Sequence, residues 1–163
     1  MCRLRTWHET EALRQFRGEH IPWQPLFALD RFRRFYDEFG PAWIDRLEEL
    51  YAPGFVFRDP FHRIDGDVAA MRAYFGKVLT ALHASRFITE DVATGADGSY
   101  VRWRWEWQRK ARHPLRTVPG VTHLRFAADG RITHHQDLFD AAEGFFETLP
   151  VIGGALRAIK RRM

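Results

Sequence analysis

The chain has 163 residues, 45% of them hydrophobic and 28% charged, which suits one globular domain with a sizeable core and is short for two. Its net charge is +4, but the final stretch "PVIGGALRAIKRRM" holds four bases and no acid. The preceding 149 residues therefore balance at 21 bases against 21 acids and offer no overall footprint for a nucleic-acid backbone. The single cysteine, Cys2, excludes an internal disulfide, no apolar run approaches the ~18 residues of a membrane span, and the first residues lack the apolar centre of a secretory signal. The expectation is a cytoplasmic protein.

Residues 1–28 show weak periodicity and read as an N-terminal extension, with the two prolines of "IPWQPLF" predicting an extended connector over 21–27. From Leu29 to Tyr51, Phe32, Phe35, Tyr36, Phe39, Trp43, Leu47 and Leu50 recur at steps of three and four, which predicts an amphipathic helix bent near Pro41. A short strand from Phe55 to Arg58, a turn from Asp59 to Gly66 and a second helix from about Asp67 to Leu82 follow.

Arg86 to Asp140 reads as four antiparallel strands in two hairpins, closed by "GADG" and "ADG". "AAEGFFETL" and "VIGGALRAIKRR" read as helices divided by Pro150, the second being a basic C-terminal helix over 150–163. This order predicts an α+β fold over 29–149, a cone-shaped, curved antiparallel sheet with helices on its concave face enclosing a pocket.

Strand parity locates the chemistry. His135, Asp137 and Phe139 share one face of the last strand, and the alternation in "VRWRWEW" turns Trp103, Trp105 and Trp107 one way and Arg102, Arg104 and Glu106 the other. Inward tryptophans remove far more apolar area from water, at ~25 cal/mol per Å², so the indoles are predicted to face the helices. His135 and Asp137 are then either an acid-base pair or a structurally bonded histidine and its acceptor.

Asp59, ahead of Pro60, has two readings as well: a turn initiator, or a carboxylate at a pocket mouth shielded by Phe57 and Phe61. No His-x-His or His-x-x-x-His spacing, nucleophile motif, phosphate loop or dinucleotide fingerprint is present, so neither metal nor cofactor is expected.

"LYAPGFVFRDP", "DGDVAAMRAYF", "VRWRWEW" and "GVTHLRFAADGRITHHQDLFD", in that order between Leu29 and Asp140, resemble the SnoaL-like branch of the nuclear transport factor 2 superfamily, which also holds ketosteroid isomerase and limonene epoxide hydrolase. The resemblance implies a cone-shaped α+β domain, a homodimer through the outer face of the sheet, and an apolar pocket for a small, often cyclic molecule. Matched to the isomerases, Asp59 falls on the general base, and Phe35 and Thr122 fall where two acidic donors belong. Tyr36 is adjacent but turned by about 100°, so steroid-type isomerisation is not expected. Matched to the hydrolase, "DLFD" puts Asp137 on an acid that activates water, but outward Arg104 and Glu106 lose the triad.

The expected pocket is lined by Phe35, Tyr36, Phe57, Trp103, Trp105, Trp107, Thr122, Phe126 and Phe139, with Asp59 and Asp137 as its polar centre and His135 assisting. Its occupant would be a small apolar molecule. Two functions remain: a cofactor-independent acid-base enzyme (isomerase, cyclase, dehydratase or hydrolase), or a non-catalytic ligand-binding or dimerisation module. Membrane contact through Ile152, Leu156, Ile159 and Met163 ranks below a packed helix or lid, because one short stripe without interfacial aromatics binds lipid weakly.

Overall fold

A computed structural model describes residues 23–163. The amphipathic stretch forms three helices, α1 (Trp23–Asp37), α2 (Pro41–Ile44) and α3 (Leu47–Leu50). The break falls at Gly40–Pro41, where Gly40 is fully extended and Pro41 opens the next helix. α1 starts earlier than periodicity suggests, so residues 23–27 are helix and not connector. Pro25 lies in the first turn, where a missing N–H costs no intrahelical bond. The rest of the predicted extension lies outside the described residues.

α1 buries Leu29, Phe32, Phe35 and Tyr36 against a six-stranded sheet in the order β2-β1-β6-β5-β4-β3. The strands are β1 (Tyr51–Arg58), β2 (Arg63–Asp65), β3 (Ala84–Gly95), β4 (Gly98–Gln108), β5 (Arg116–Phe126) and β6 (Ile132–Phe139). β3 to β6 form the expected antiparallel meander.

The sheet as a whole is mixed, which corrects the antiparallel expectation: β1 runs parallel to β6. Parallel neighbours need a long crossover, and here β2, α4 (Val68–Ala81) and the strands β3 to β5 lie between the two in the chain. β2 and β3 remain edges, so the sheet is not closed.

β1 is longer than its apolar run because a bulge lies between Tyr51 and Val56. Gly54 occupies it at φ 72°, a left-handed conformation that favours glycine. α4 begins at Asp67, whose carboxylate accepts the Ala70 N–H at 2.9 Å, and buries Met71 and Phe75. Past β6, Asp140 caps α5 (Ala141–Gly144); a 3₁₀ turn (Phe146–Thr148) and α6 (Pro150–Lys160) complete the chain.

Trp103, Trp105 and Trp107 face the helices and are at most 9% exposed. Each such indole removes on the order of 200 Å² from water, roughly 5 kcal/mol against an extended chain. Arg102 and Arg104 lie on the opposite face and pair with Glu90. Gly120 of β5 lies beneath the Trp103 ring so closely that a Cβ there would be 2.3 Å from Cη2.

Candidate functional site

Between the helices and the inner face of the sheet lies a cavity of about 280 Å³. Tyr36 and Phe39 line it from α1 and its end, Tyr74, Phe75 and Val78 from α4, Phe87 from β3, Trp103 and Trp105 from β4, and Asp137 and Phe139 from β6. The turn after β1 adds Asp59, Phe61 and His62, and Phe145 comes from the segment after α5. The mouth lies by Phe61 and the His62 ring, 41% and 53% exposed. The walls are aromatic rings, so the polar groups stand out individually.

Asp59 answers to both of its readings. Its Oδ1 accepts the backbone N–H groups of Phe61 and His62 at 2.7 and 2.5 Å, which builds the turn. Its Oδ2 accepts the Tyr74 hydroxyl at 2.8 Å on the cavity wall, and the His62 Nδ1 lies 3.2 Å from both oxygens. Only 4% of the side chain is exposed. Both carboxylate oxygens therefore have partners.

Asp137 is held differently. Trp103 Nε1 donates to Thr122 Oγ1 at 2.7 Å, and the Thr122 hydroxyl donates to Asp137 Oδ1 at 2.5 Å. His135 Nε2 lies 3.0 Å from the same oxygen. A carboxylate only accepts, so Nε2 carries the hydrogen, and in the neutral ring Nδ1 accepts from the Tyr51 hydroxyl at 2.7 Å. His135 is completely buried, satisfied on both nitrogens, and stacked 5.9 Å from the Tyr51 ring. Asp137 Oδ2 has no hydrogen-bond partner among the described residues, and its side chain keeps 15% exposure into the cavity.

Three phenols surround these acids. Burial, then the charge of Asp137, pushes the Tyr36 and Tyr51 hydroxyls well above the ordinary tyrosine value. Burial, then the charge of Asp59, does the same for Tyr74. All three remain donors across the neutral range. Tyr51 and Tyr74 spend their hydrogens on His135 and Asp59, but the Tyr36 hydroxyl has only a 3.5 Å contact with His135 Nε2. Deep in the cavity, Asp137 Oδ2 is thus an acceptor without a partner among the described residues and Tyr36 a weakly committed donor, with the half-exposed His62 ring nearer the mouth.

Of the residues expected to line the pocket, Asp59, Tyr36, Trp103, Trp105, Asp137 and Phe139 meet at this cavity. His135 is not on its surface; it lies behind Asp137 and orients it. Thr122 lies deeper, at a narrow crevice beside Phe32 and Val101.

Phe35 is packed among Tyr36, Phe39, Trp43 and Phe75, because the helical phase turns its neighbour Tyr36 to the cavity instead. Phe57 is fully buried behind Tyr74 and His135. Trp107 is screened by Phe145, which stacks on it at 5.3 Å, and lines a separate groove. Phe126, at the far end of β5 opposite Ile132, packs on the edge of the core.

Tyr51 and Tyr74 were not anticipated. Tyr74 could have been found from its place on the buried stripe of α4, whereas Tyr51 lies 84 residues from His135 and carries no local signal. Among the described residues no three His, Cys, Asp or Glu side chains cluster as a metal site, and no helix is long and apolar enough to cross a membrane.

A family model described as the SnoaL-like domain matches residues 32–135. No curated protein matches in sequence. Among solved structures, a putative SnoaL-like polyketide cyclase from Jannaschia sp. CCS1 is similar at 19% identity and TM-score 0.63, over 77% of this chain and 91% of its own. An NTF2-like protein of unknown function from Exiguobacterium sp. 255-15 is similar at 21% identity and TM-score 0.60, over 69% of this chain and 98% of its own. AclR, a putative hydroxylase from Streptomyces galilaeus, is similar at 14% identity and TM-score 0.60, over 78% of this chain and 98% of its own. Likeness at these identities establishes the fold alone.

Proposed function

We propose, from the premise that the chain belongs to the SnoaL-like domain family, that it binds a compact, mostly apolar cyclic ketone in the aromatic cavity and moves a proton on it without a cofactor. The carrying observation is that one aromatic cavity holds both Asp137 Oδ2, unpartnered among the described residues, and the Tyr36 phenol, which lies 3.5 Å from the same His135 Nε2 that contacts Asp137 Oδ1. Tyr36 would donate to the carbonyl oxygen, and Asp137 would take a proton from the adjacent carbon. An enolate forms as that C–H bond breaks and the proton passes to the Asp137 carboxylate, and returning the proton from Asp137 to another carbon of the enolate system completes an isomerisation. Trp103, Thr122, His135 and Tyr51 would hold the carboxylate in position. Structures named as a putative polyketide cyclase and a putative hydroxylase share the fold, which is compatible with a cyclic carbonyl substrate.

A second reading, a binding module without turnover, is favoured by one observation: both oxygens of Asp59 are already engaged by the protein. Binding itself is tested by titrating the bicyclic ketone β-tetralone while following indole fluorescence, since Trp103 and Trp105 line the cavity. Saturable quenching that disappears in Val78→Trp, which fills the cavity from α4, is expected. Quenching that is absent, or unaffected by Val78→Trp, would refute occupation of this cavity.

A further inference from the structure

α6 is docked the wrong way round for a helix that packs by its apolar side. Arg157 Nη1 donates to the Glu147 carbonyl at 2.8 Å, and Lys160 Nζ pairs with the Glu147 carboxylate at 2.6 Å. Gly153 sits so close that a Cβ would be 2.2 Å from the same carbonyl oxygen. The other side, with Val151, Ile152 and Ile159 at 83%, 49% and 56% exposure, faces solvent.

This apolar stripe does not stand alone. Leu149 and Phe146 in the preceding turn are exposed, and the Phe146 ring lies 5.8 Å from Phe61 at the cavity mouth. The surface thus runs from α6 to the opening. Basic charge borders it on two sides. Arg161 and Arg162 are exposed beyond α6 with no acid after Glu147, which engages Arg157 and Lys160, and Arg109, Lys110, Arg112 and Arg116 are exposed in an acid-free run from 107 to 128. The second of these segments approaches the turn before α6 at a groove lined by Trp107, Arg109, His113, Arg116 and Thr148.

We infer that this end of the molecule docks on an anionic lipid bilayer, with α6 lying in the headgroup layer and the cavity mouth turned to the membrane. Exposed apolar side chains flanked by bases have the composition of an interfacial surface. Phe61 and Phe146 supply the aromatics that α6 lacks in its own sequence. A second copy fits poorly, because two such surfaces would bring like charges together. Entry of the ligand from the bilayer rests on the binding function proposed above; docking itself does not.

The test is co-sedimentation with vesicles of phosphatidylcholine alone and of phosphatidylcholine mixed with phosphatidylglycerol. Partitioning at least about tenfold stronger on the anionic vesicles is expected, weakening with salt. The double variants Val151→Asp with Ile159→Asp, and Arg161→Gln with Arg162→Gln, should each lose about tenfold. Both pairs are exposed, so unchanged thermal unfolding and unchanged β-tetralone quenching in solution should accompany the loss, which keeps the cavity's function separate. Equal partitioning on both vesicle types, none on the anionic ones, or wild-type partitioning by both variants would overturn the inference. So would a variant that alters only the oligomeric state seen by light scattering.

Discussion

His135 Nε2 lies 3.0 Å from Asp137 Oδ1, two residues along the same face of β6, while its Nδ1 lies 2.7 Å from the Tyr51 hydroxyl. One fully buried ring thus ties the start of β1 to the acid on the cavity wall. Removing the hydroxyl with Tyr51→Phe leaves a buried acceptor unpaired. The expected cost is ~1–3 kcal/mol of unfolding free energy in urea. A loss near zero would mean that Nδ1 does not depend on Tyr51.

Gly120→Ala drives a methyl group into the face of a buried indole, which cannot bend away as a flexible chain would. Overpacking of this kind costs roughly 1–3 kcal/mol. Displacing Trp103 also breaks its hydrogen bond to Thr122, and so loosens Asp137. Urea denaturation should show the loss, with a changed indole emission already present in the native state.

Asp59 holds a turn and a cavity wall at once, and two substitutions separate these roles. Asn keeps an oxygen for the N–H groups of Phe61 and His62, so Asp59→Asn should cost less than about 1 kcal/mol. Ala keeps none, and Asp59→Ala should cost ~1–3 kcal/mol. Equal losses for both variants would show that the charge, and not the turn, carries the stability.

Both ends of the pH range should destabilise the fold through named groups. Tyr36, Tyr51 and Tyr74 have folded values raised above 10.0, so the folded state holds these protons more tightly than the unfolded one. Their contribution is complete below pH 10.0 and disappears as pH climbs through the raised values. His134, lowered from 6.5 by burial and then by His123 and Arg125, holds its proton less tightly when folded. Stability should therefore decline as pH falls below 6.5, and His134→Gln should flatten that decline. Thermal unfolding across pH, with tyrosinate absorbance on the alkaline side, checks both.

Much of this fold could be read from local pattern. The helical spacing of Phe32, Phe35 and Tyr36, the parity of Trp103, Trp105 and Trp107, and the shared face of His135 and Asp137 depend only on the periods of helix and strand. What escaped depends on partners distant in the chain. The parallel pairing of β1 with β6 and the Tyr51 hydrogen bond join segments with no local mark of each other. The choice of Tyr36 over Phe35 for the cavity reflects how α1 is rotated on the sheet. Trp107 obeys strand parity but is separated from the cavity by Phe145, whose position is set by the turn after α5.

The central proposition is that Asp137 removes a proton from a carbonyl compound held against Tyr36. It is tested most directly by following deuterium incorporation next to the carbonyl of β-tetralone by NMR, with wild type, Asp137→Asn and Asp59→Asn. Exchange well above buffer in the wild type and in Asp59→Asn, reduced at least ~100-fold in Asp137→Asn, is the expected result. Wild-type exchange at the buffer rate, or exchange untouched by Asp137→Asn, would contradict it.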